Sequence, residues 1–426
     1  MTTILLLSLL MVFIFMGMPI SIAIGAAALI IVFVTGLPPQ VVVPASIENA
    51  GSVTLIAIPL FLVAGMLMEQ GGISRRIVDF AYSLVGSRRG GLGYVAVVSG
   101  VFFGGVSGSA TADTAAIGGV VIPAMKRKGY KPSFAAALVA ASGTLGLIIP
   151  PSVVMVILGV TTNISIGDMF LGGIVPGLLL AASYMVVVWR HAKKEGYPTE
   201  PKVPLTQVGK NAVSAFPALM TVVIIVVGLT AGIFTASEAG AAAAAYALLL
   251  FFVYRESSLK ELGVLLAKAA SLTGTVMFLI VTSGIFGIVM THLQLPQAMA
   301  DFFLSFSSNP AHVFLAINVL LLLLGTFLDP TPIIIILGPL LVPIATSMGI
   351  DPVHFGVVFT VNMLLAQLSP PAGVPLFVTA GIARIPLGDV YKPIVPFLAV
   401  SAVVLVLITY VPPIVMFIPN LIGSTA

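Results

Sequence analysis

The chain has 426 residues, of which 59% are hydrophobic and only 8% are charged, and its mean hydropathy is +1.20. Soluble domains contain roughly 25% charged residues, so the composition excludes an ordinary soluble protein and predicts an all-α polytopic membrane protein. The absence of cysteine excludes disulfides, haem thiolates and cysteine-based metal sites. The net charge of +4 does not indicate a nucleic-acid partner, because the basic residues lie in loops between apolar segments.

The apolar segments are long enough to cross a hydrocarbon core of ~30 Å. The first (3–17) lacks a basic N-terminal region and is followed at once by a second, so both are predicted to be retained spans rather than a cleaved signal peptide. The predicted spans are 3–17, 19–34, 54–71, 132–161, 167–189, 215–234, 237–254, 270–290, 353–382 and 390–418.

Two further apolar stretches, 90–126 and 311–347, are interrupted at their centres and are predicted to be re-entrant helical hairpins. Non-helical backbone at membrane depth is tolerated only where protein or a cavity surrounds it. The predicted domains are residues 1–189 (hairpin 90–126, broken helix 132–161), a cytoplasmic linker at 190–214, and residues 215–426 (hairpin 311–347, broken helix 353–382).

Positive charge supports this topology. With ten spans and two hairpins, all 18 lysine and arginine residues fall on one face of the membrane, which the positive-inside rule makes cytoplasmic. Both termini are then predicted to be periplasmic. Two amphipathic stretches, "SRRIVDFAYSLVG" and "QAMADFFLSF", are predicted to be interfacial helices.

Glycines and prolines of the two halves coincide when the chain is shifted by 220 residues. Gly105 then coincides with Gly325, and Pro150–Pro151 with Pro370–Pro371. Chance coincidence is the alternative. Five spans and one hairpin per half are an odd number of crossings, so the second half would be inverted relative to the first. Inverted repeats with interrupted segments at matching positions are typical of secondary transporters.

Four interruptions are the candidate sites: "GGVSGSATADT" and "SGTLGLIIPP" in the first half, "GTFLDPTP" and "NMLLAQLSPP" in the second. A broken helix exposes carbonyls at one end and N–H groups at the other. Carbonyl and side-chain oxygens suit a hard cation such as Na⁺, and N–H groups suit a carboxylate.

Asp329 is the most conspicuous residue, because an ionisable group in the middle of a membrane costs at least about 2.5–3.5 kcal/mol. We expect it to face protein and a cation at a hairpin tip. The alternative is that Asp329 only caps the following half-helix, and the same alternative applies to Asp113. The glycines and serines of the first tip could instead serve tight helix packing. The four histidines have no metal-ligand spacing.

Four stretches, "FFGGVSGSATADTAAIGGVVIPAM", "GLIIPPS", "GTFLDPTPIIIILGPLLVP" and "SPPAGVPLF", resemble the large membrane subunit of tripartite ATP-independent periplasmic (TRAP) transporters. The resemblance covers nearly the whole chain. It implies an elevator-type, Na⁺-coupled importer of an organic acid such as a C4-dicarboxylate or a sialic acid, in the bacterial inner membrane. It also implies two partners, a small membrane subunit of about four spans and a periplasmic substrate-binding protein.

On this resemblance, two groups of residues would bind Na⁺ and a third would bind the substrate. The first Na⁺ group comprises Ser107, Gly108, Ser109, Ser142, Gly143 and Thr144. The second comprises Gly325, Thr326, Asp329, Asn362 and Ser369. The substrate group comprises Thr111, Asp113, Pro150, Pro151, Thr331, Pro370, Pro371 and Gly373. Since Asp329 coincides with Ser109 under the shift, we expect the two cation sites to differ in affinity.

Three other functions fit parts of the pattern. A Na⁺/dicarboxylate symporter or antiporter of the same architecture would need no binding protein. An intramembrane aspartyl protease would use Asp113 and Asp329 as a dyad, but inverted hairpins would bring the two acids in from opposite faces. A channel would not need paired cation sites.

Overall fold

A computed structural model describes residues 2–38, 40, 42, 44, 51, 53–69, 73–197, 199–254, 258–295, 297–299, 301 and 309–422. In this part of the chain all the regular elements are helical. Helices α1 to α9 are Thr2–Phe15, Ile20–Thr35, Ala57–Glu69, Ile73–Val85, Gly91–Ser107, Ala110–Arg127, Pro132–Thr144, Val153–Thr162 and Ile166–Glu195. Helices α10 to α18 are Leu205–Thr230, Ala236–Tyr254, Leu259–His292, Pro310–Gly325, Pro330–Ser347, Pro352–Gln367, Val374–Ala383, Gly388–Tyr410 and Pro412–Ile422.

Six of these helices are long and apolar enough to cross a membrane, and the bent pair α3–α4 makes up to seven. They are α9, α10, α11, α12, α14 and α17. The protein is therefore a polytopic membrane protein built from helices. Several of the remaining apolar helices are short because the chain breaks where the sequence places glycine, proline and hydroxyl residues.

All four predicted interruptions separate two helices. Residues 108–109 separate α5 from α6, and residues 326–329 separate α13 from α14. The other two breaks follow α7 and α15, and each contains a cis peptide bond between paired prolines, Pro150–Pro151 and Pro370–Pro371. Local chemistry explains the restarts: Ser152 and Asp329 accept hydrogen bonds from backbone N–H groups as N-caps of α8 and α14.

Several predicted boundaries differ from the structure. The linker predicted at 190–214 is mostly helical, because α9 continues to Glu195 and α10 already begins at Leu205. Helix α12 begins at Leu259, eleven residues before the predicted start at 270, where Ser258 and Glu261 form a capping box. The last predicted span, 390–418, is two helices separated at Val411.

The first amphipathic stretch is a helix, α4, and it buries its apolar residues Ile73, Ile77, Val78 and Ala81. The second, at 297–306, lies largely outside the described residues. Helix α4 packs against α5 of the first hairpin and against α10. It therefore lies between the first hairpin and the helices that follow the linker.

Contacts between the halves are reciprocal. Helix α6 contacts α5, α7 and the half-helix α16, whereas α14 contacts α13, α15 and the half-helix α8. Helix α7 contacts α17, and its counterpart α15 contacts α9. A shift of 220 residues takes α6 onto α14 end to end and the start of α7 onto the start of α15. Each hairpin therefore packs against the broken helix of its own half and against the second half-helix of the other.

Candidate cation and substrate site

The first hairpin tip is a two-residue connection. Helix α5 ends at Ser107. Its C-cap, Gly108, has a φ of +66° in the left-handed region that favours glycine, and Ser109 is extended. The backbone N–H of Ser109 donates to the Ser107 hydroxyl at 3.2 Å. A Cβ at Gly108 would lie 2.6 Å from the Pro151 carbonyl and 3.0 Å from the Val153 nitrogen, so this tip touches the first break.

Asp113 is the buried acid of this tip. Its side chain is fully buried, and the Ser107 hydroxyl donates to its Oδ1 at 2.5 Å. Its Oδ2 has no hydrogen-bond partner among the described residues. This oxygen lies against Gly146, where a Cβ would overlap it. Asp113 is the fourth residue of α6, and its N–H donates to the Ser109 carbonyl, so the alternative that Asp113 is only a helix cap is wrong.

Glycines bring the hairpin arms into backbone contact with α7 and the break. A Cβ at Gly104 would lie 2.9 Å from the Cα of Gly146, and one at Gly143 would overlap Thr114. Gly100 lies against the Ser142 carbonyl in the same way. The tight packing expected of these small residues is therefore present.

Two hydroxyl oxygens in this region, Ser99 Oγ and Thr114 Oγ1, are buried without a hydrogen-bond partner among the described residues. Ser142 and Thr144 donate to carbonyls of their own helix, at 2.8 Å each. Their oxygens can still accept, or contact a cation. The first tip and the first break are thus in contact through Gly108 and Gly143, with Asp113 and Thr114 beside them, and the Na⁺ site at this place stays a prediction.

The outer side of the first tip is covered by two other helices. A Cβ at Gly65 of α3 would lie 2.7 Å from the Ser107 carbonyl, and one at Gly105 would lie 2.8 Å from the Val222 side chain of α10. Helices α3 and α10 therefore cover the side of the first tip that faces away from the first break.

The second hairpin tip is more open. Asp329 is exposed, and its Oδ1 accepts from the Thr331 N–H at 3.4 Å as the N-cap of α14. The residue is therefore less enclosed by the described chain than our expectation that it faces protein requires. Thr326 donates to the Leu322 carbonyl at 2.8 Å. Gly325 is buried against Ala366 and Met363 of α15.

The second break contains two buried amides. Asn362 is fully buried, and its Nδ2 donates to the Asn318 carbonyl at 2.8 Å and to Asn318 Oδ1 at 3.1 Å. Asn318 in turn donates to Thr409 at 3.0 Å. The Oδ1 of Asn362 and the Oε1 of Gln367 have no hydrogen-bond partner among the described residues. Both are carbonyl-type oxygens, the kind of ligand that hard cations prefer.

The remaining predicted residues surround this break. Ser369 donates to the Leu365 carbonyl at 3.0 Å, and the Pro371 carbonyl accepts from the Tyr391 hydroxyl at 3.3 Å. Gly373 is buried against the Gln367 backbone. Thr111 and Thr331, one in the first turn of each second hairpin arm, are partly exposed. Sequence reasoning missed Ser99, Thr114 and Gln367, although their polar character within buried, apolar segments was a usable signal.

The donor set fits a hard monovalent cation better than a transition metal. Among the described residues there is no group of three His, Cys, Asp or Glu that could hold a metal ion. Five of the buried polar atoms without partners are oxygens at the two tip-and-break regions. Buried polar atoms are normally satisfied, so these oxygens are available to a bound water or to a cation. No lysine or arginine occurs at 90–125, 132–189 or 269–383.

Charge is instead concentrated at the ends of the hairpin. Lys128 pairs with Glu200 at 2.7 Å, and Lys131 pairs with Glu195 at 2.8 Å. The hydrogen bond to Glu200 raises the pKa of Lys128 above its usual value. These exposed pairs contribute little stability, but they fix the segment after α9 beside the start of α7.

Comparison with known proteins identifies the family. The profile of the tripartite ATP-independent periplasmic transporter family, DctM component, matches residues 7–414. The chain belongs to this family. It is therefore a large permease subunit of a TRAP transporter and not an enzyme, which rules out the aspartyl protease interpretation.

Curated relatives in the TRAP family extend over most of the chain. The C4-dicarboxylate TRAP transporter large permease DctM of Pseudomonas aeruginosa is 40% identical over 379 residues, 89% of each chain. The sialic acid permease SiaM of Vibrio cholerae is 40% identical over 86% of each chain. The isethionate permease DctMQ of Oleidesulfovibrio alaskensis is 39% identical, over 92% of this chain and 62% of its own length.

Proposed function

We propose that this TRAP permease subunit is an elevator-type importer that couples the entry of Na⁺ to the uptake of a small organic acid. The observation that supports it most is the placement of buried oxygens that have no partner among the described residues in both tip-and-break regions. Asp113 and Thr114 lie on α6 just after the first tip, and Asn362 and Gln367 lie on α15 next to the second break. Each region offers a cation several oxygen ligands inside an apolar protein.

In this proposal the two halves of the chain are inverted repeats. The reciprocal contacts of α6 with α16 and of α14 with α8 support it, since exchanging the halves reproduces the same packing. Each half contributes one hairpin and one broken helix to a common unit. In this scheme α5 to α9 and α13 to α17 form the moving unit, and α1 to α3 with α10 to α12 form the scaffold.

The first Na⁺ would lie between the first tip and break. Its ligands would come from Ser107, Gly108, Ser109, Ser142, Gly143 and Thr144, with the Asp113 carboxylate compensating the charge. Its fully buried position makes an uncompensated Asp113 carboxylate expensive, so a cation nearby lowers the free energy of the tip.

The second Na⁺ would lie between the second tip and break, among Gly325, Thr326, Asn362 and Ser369. Its buried ligands are neutral, and Asp329 lies on the exposed side of the tip. We therefore propose that this site binds Na⁺ more weakly than the first. Asp329 would then act through its charge at the surface of the tip rather than as an enclosed ligand.

The organic acid would bind between the two tips. Helices α6, α8, α14 and α16 each begin at a tip or break, so their N–H groups and positive ends can hold a carboxylate without arginine. The contacting residues would be Thr111, Pro150, Pro151, Thr331, Pro370, Pro371 and Gly373. Asp113 is reassigned from the substrate to the first cation, because its carboxyl is enclosed inside the tip.

The names of the relatives support a proposal for the substrate class. The names of the relatives above specify C4-dicarboxylate, sialic acid and isethionate, which are all small organic anions. We propose a substrate of this class, a small four-span membrane partner and a periplasmic binding protein that delivers the acid. The chain would lie in the bacterial inner membrane with both termini periplasmic, since that orientation places the basic loops in the cytoplasm.

Uptake into proteoliposomes tests the proposal. The chain would be reconstituted with its small subunit and its binding protein, and uptake of labelled acid would be followed with and without an inward Na⁺ gradient. The proposal requires that uptake needs both the gradient and the binding protein. Uptake that persists without the binding protein would instead favour a symporter or antiporter of the same architecture, and uptake without Na⁺ would refute the coupling.

A further inference from the structure

A cavity of about 700 Å³, separate from the two tips, lies between helices that the proposed function assigns to the moving unit and to the scaffold. Residues of α8 and α14 form one wall, and residues of α12 form the other, with Leu37 and Leu55 closing one side. The volume is within the range of ligand-binding pockets.

The cavity has the depth of one membrane leaflet. Its α12 wall extends from Ile280 to His292, which is about 18 Å at 1.5 Å per residue. Half of a ~30 Å hydrocarbon core is ~15 Å. His292 ends α12, so this wall leads from the membrane surface towards the midplane.

Polarity changes along this depth. Asn163, Thr291 and His292 line the end nearest the helix termini and are exposed. Deeper, the lining is mostly apolar and includes Ile280 and Ile335, which are buried. Ser283 is the polar exception, and its hydroxyl oxygen has no hydrogen-bond partner among the described residues.

The deep part is open space rather than tight packing. A Cβ added at Gly287 would meet no atom of the described residues within 4 Å, although neighbouring Phe286 and Val289 are buried. Water is a poor occupant, because a buried water needs two to four polar partners and Ser283 offers one. An organic anion is also a poor occupant, because neither a lysine, an arginine nor a helix N-terminus is among the described residues that line the cavity.

We propose that this cavity binds one acyl chain of a bilayer phospholipid, with the headgroup at the end formed by Asn163, Thr291 and His292. An acyl chain matches the apolar depth. The side-chain amide of Asn163 at the polar end can donate a hydrogen bond to a zwitterionic headgroup, whose cationic part suits the C-termini of α8 and α12. The bound chain would fill the space between α14 and α12, where the moving unit meets the scaffold.

Because the chain contains no cysteine, a single introduced cysteine can be labelled without background, and this allows the proposal to be tested. Gly287→Cys would be labelled with bimane in proteoliposomes, and its fluorescence compared with and without brominated phospholipids and with aqueous iodide. Gly274→Cys on the same helix is the bulk-lipid control, and Gly209→Cys is the aqueous control. All three glycines have open space within 4 Å of a Cβ, and both controls are exposed.

We expect brominated lipid to quench Gly287→Cys to within about twofold of its quenching of Gly274→Cys. We expect iodide to quench Gly287→Cys at least fivefold less than it quenches Gly209→Cys. Strong iodide quenching with little quenching by lipid would overturn the proposal and indicate a water-filled route. Absence of quenching by either would also overturn it, because the cavity would then be closed. Ile288→Cys, next along the wall, is the second variant if Gly287→Cys does not fold.

Discussion

The buried Ser107 hydroxyl donates to Oδ1 of the buried Asp113 at 2.5 Å, and Asp113 Oδ2 is left without a partner among the described residues. The positions 220 residues later are Phe327 and Ile333, so the second half has no such pair. The enclosed negative charge therefore belongs to the first tip only. If each tip holds one cation, the two cations differ in the charge that surrounds them.

Asp113→Asn removes that charge while it preserves the shape of the side chain and an oxygen that can accept from Ser107. We expect the apparent affinity for Na⁺ to fall at least tenfold, which corresponds to about 1.4 kcal/mol. Na⁺ titrations of thermal stability and of uptake would measure the change.

Asp329→Asn is the matched control, because it makes the same chemical change at an exposed helix cap. We expect its effect on Na⁺ affinity to be less than threefold, since Asp329 is not enclosed with the buried oxygens of the second site and asparagine is also a good N-cap. An equal or larger loss in Asp329→Asn than in Asp113→Asn would contradict the reassignment of the enclosed acid.

Packing of the first break against Asp113 gives a stability prediction. In Gly146→Ala the new methyl group would overlap Asp113 Oδ2, with the Cα of Gly104 also close by. Inserting a methyl group into a tight core typically costs about 1–3 kcal/mol. We expect a lower midpoint of thermal unfolding in detergent.

Gly119→Ala is the control for this change, because it lies on α6 and its Cβ would meet nothing within 4 Å. Alanine is favoured over glycine within a helix by about 0.5–1 kcal/mol, so this variant should be neutral or slightly more stable. If both variants unfold at the temperature of the parent chain, the contact between Gly146 and Asp113 does not limit stability.

The helix breaks were predictable from the sequence, but which of the two acids, Asp113 or Asp329, is buried was not. Glycine, proline and hydroxyl residues within apolar runs gave all four interruptions, because these residues act locally on the backbone. Whether an acid is enclosed depends on distant helices. Asp113 is buried because α3, α7 and the first break pack around its tip, and no local pattern reports that packing.

The predicted ends of several helices were wrong for a related reason. Hydropathy marks the part of a helix that lies in the membrane, but α9, α10 and α12 continue past it as polar helices. Ser258 starts α12 by capping, well outside the apolar run. Gln367 was missed because one amide within an apolar segment has no periodic signature.

Helix α4 has polar contacts on one side and apolar contacts on the other. The Asn211 amide of α10 donates to the Asp79 carbonyl at 3.1 Å, and Arg76 donates to the Ser214 hydroxyl at 2.9 Å. Towards the hairpin, Phe80 stacks on Phe102 of α5 with ring centroids 5.5 Å apart. Directional hydrogen bonds fix a geometry, whereas an apolar contact tolerates sliding.

We therefore expect α4 to stay with α10 while α5 moves past it. Two double-cysteine variants of this cysteine-free chain separate the interfaces: Asp79→Cys with Asn211→Cys, and Phe80→Cys with Phe102→Cys. Joining each pair with a short bifunctional thiol reagent should leave most uptake in the first variant. The second should lose at least nine-tenths of its uptake and recover it when the link is reduced. Each single-cysteine variant, treated in the same way, controls for modification alone. Loss of uptake on linking α4 to α10, with uptake preserved on linking α4 to α5, would reverse the assignment and make α4 part of the moving unit.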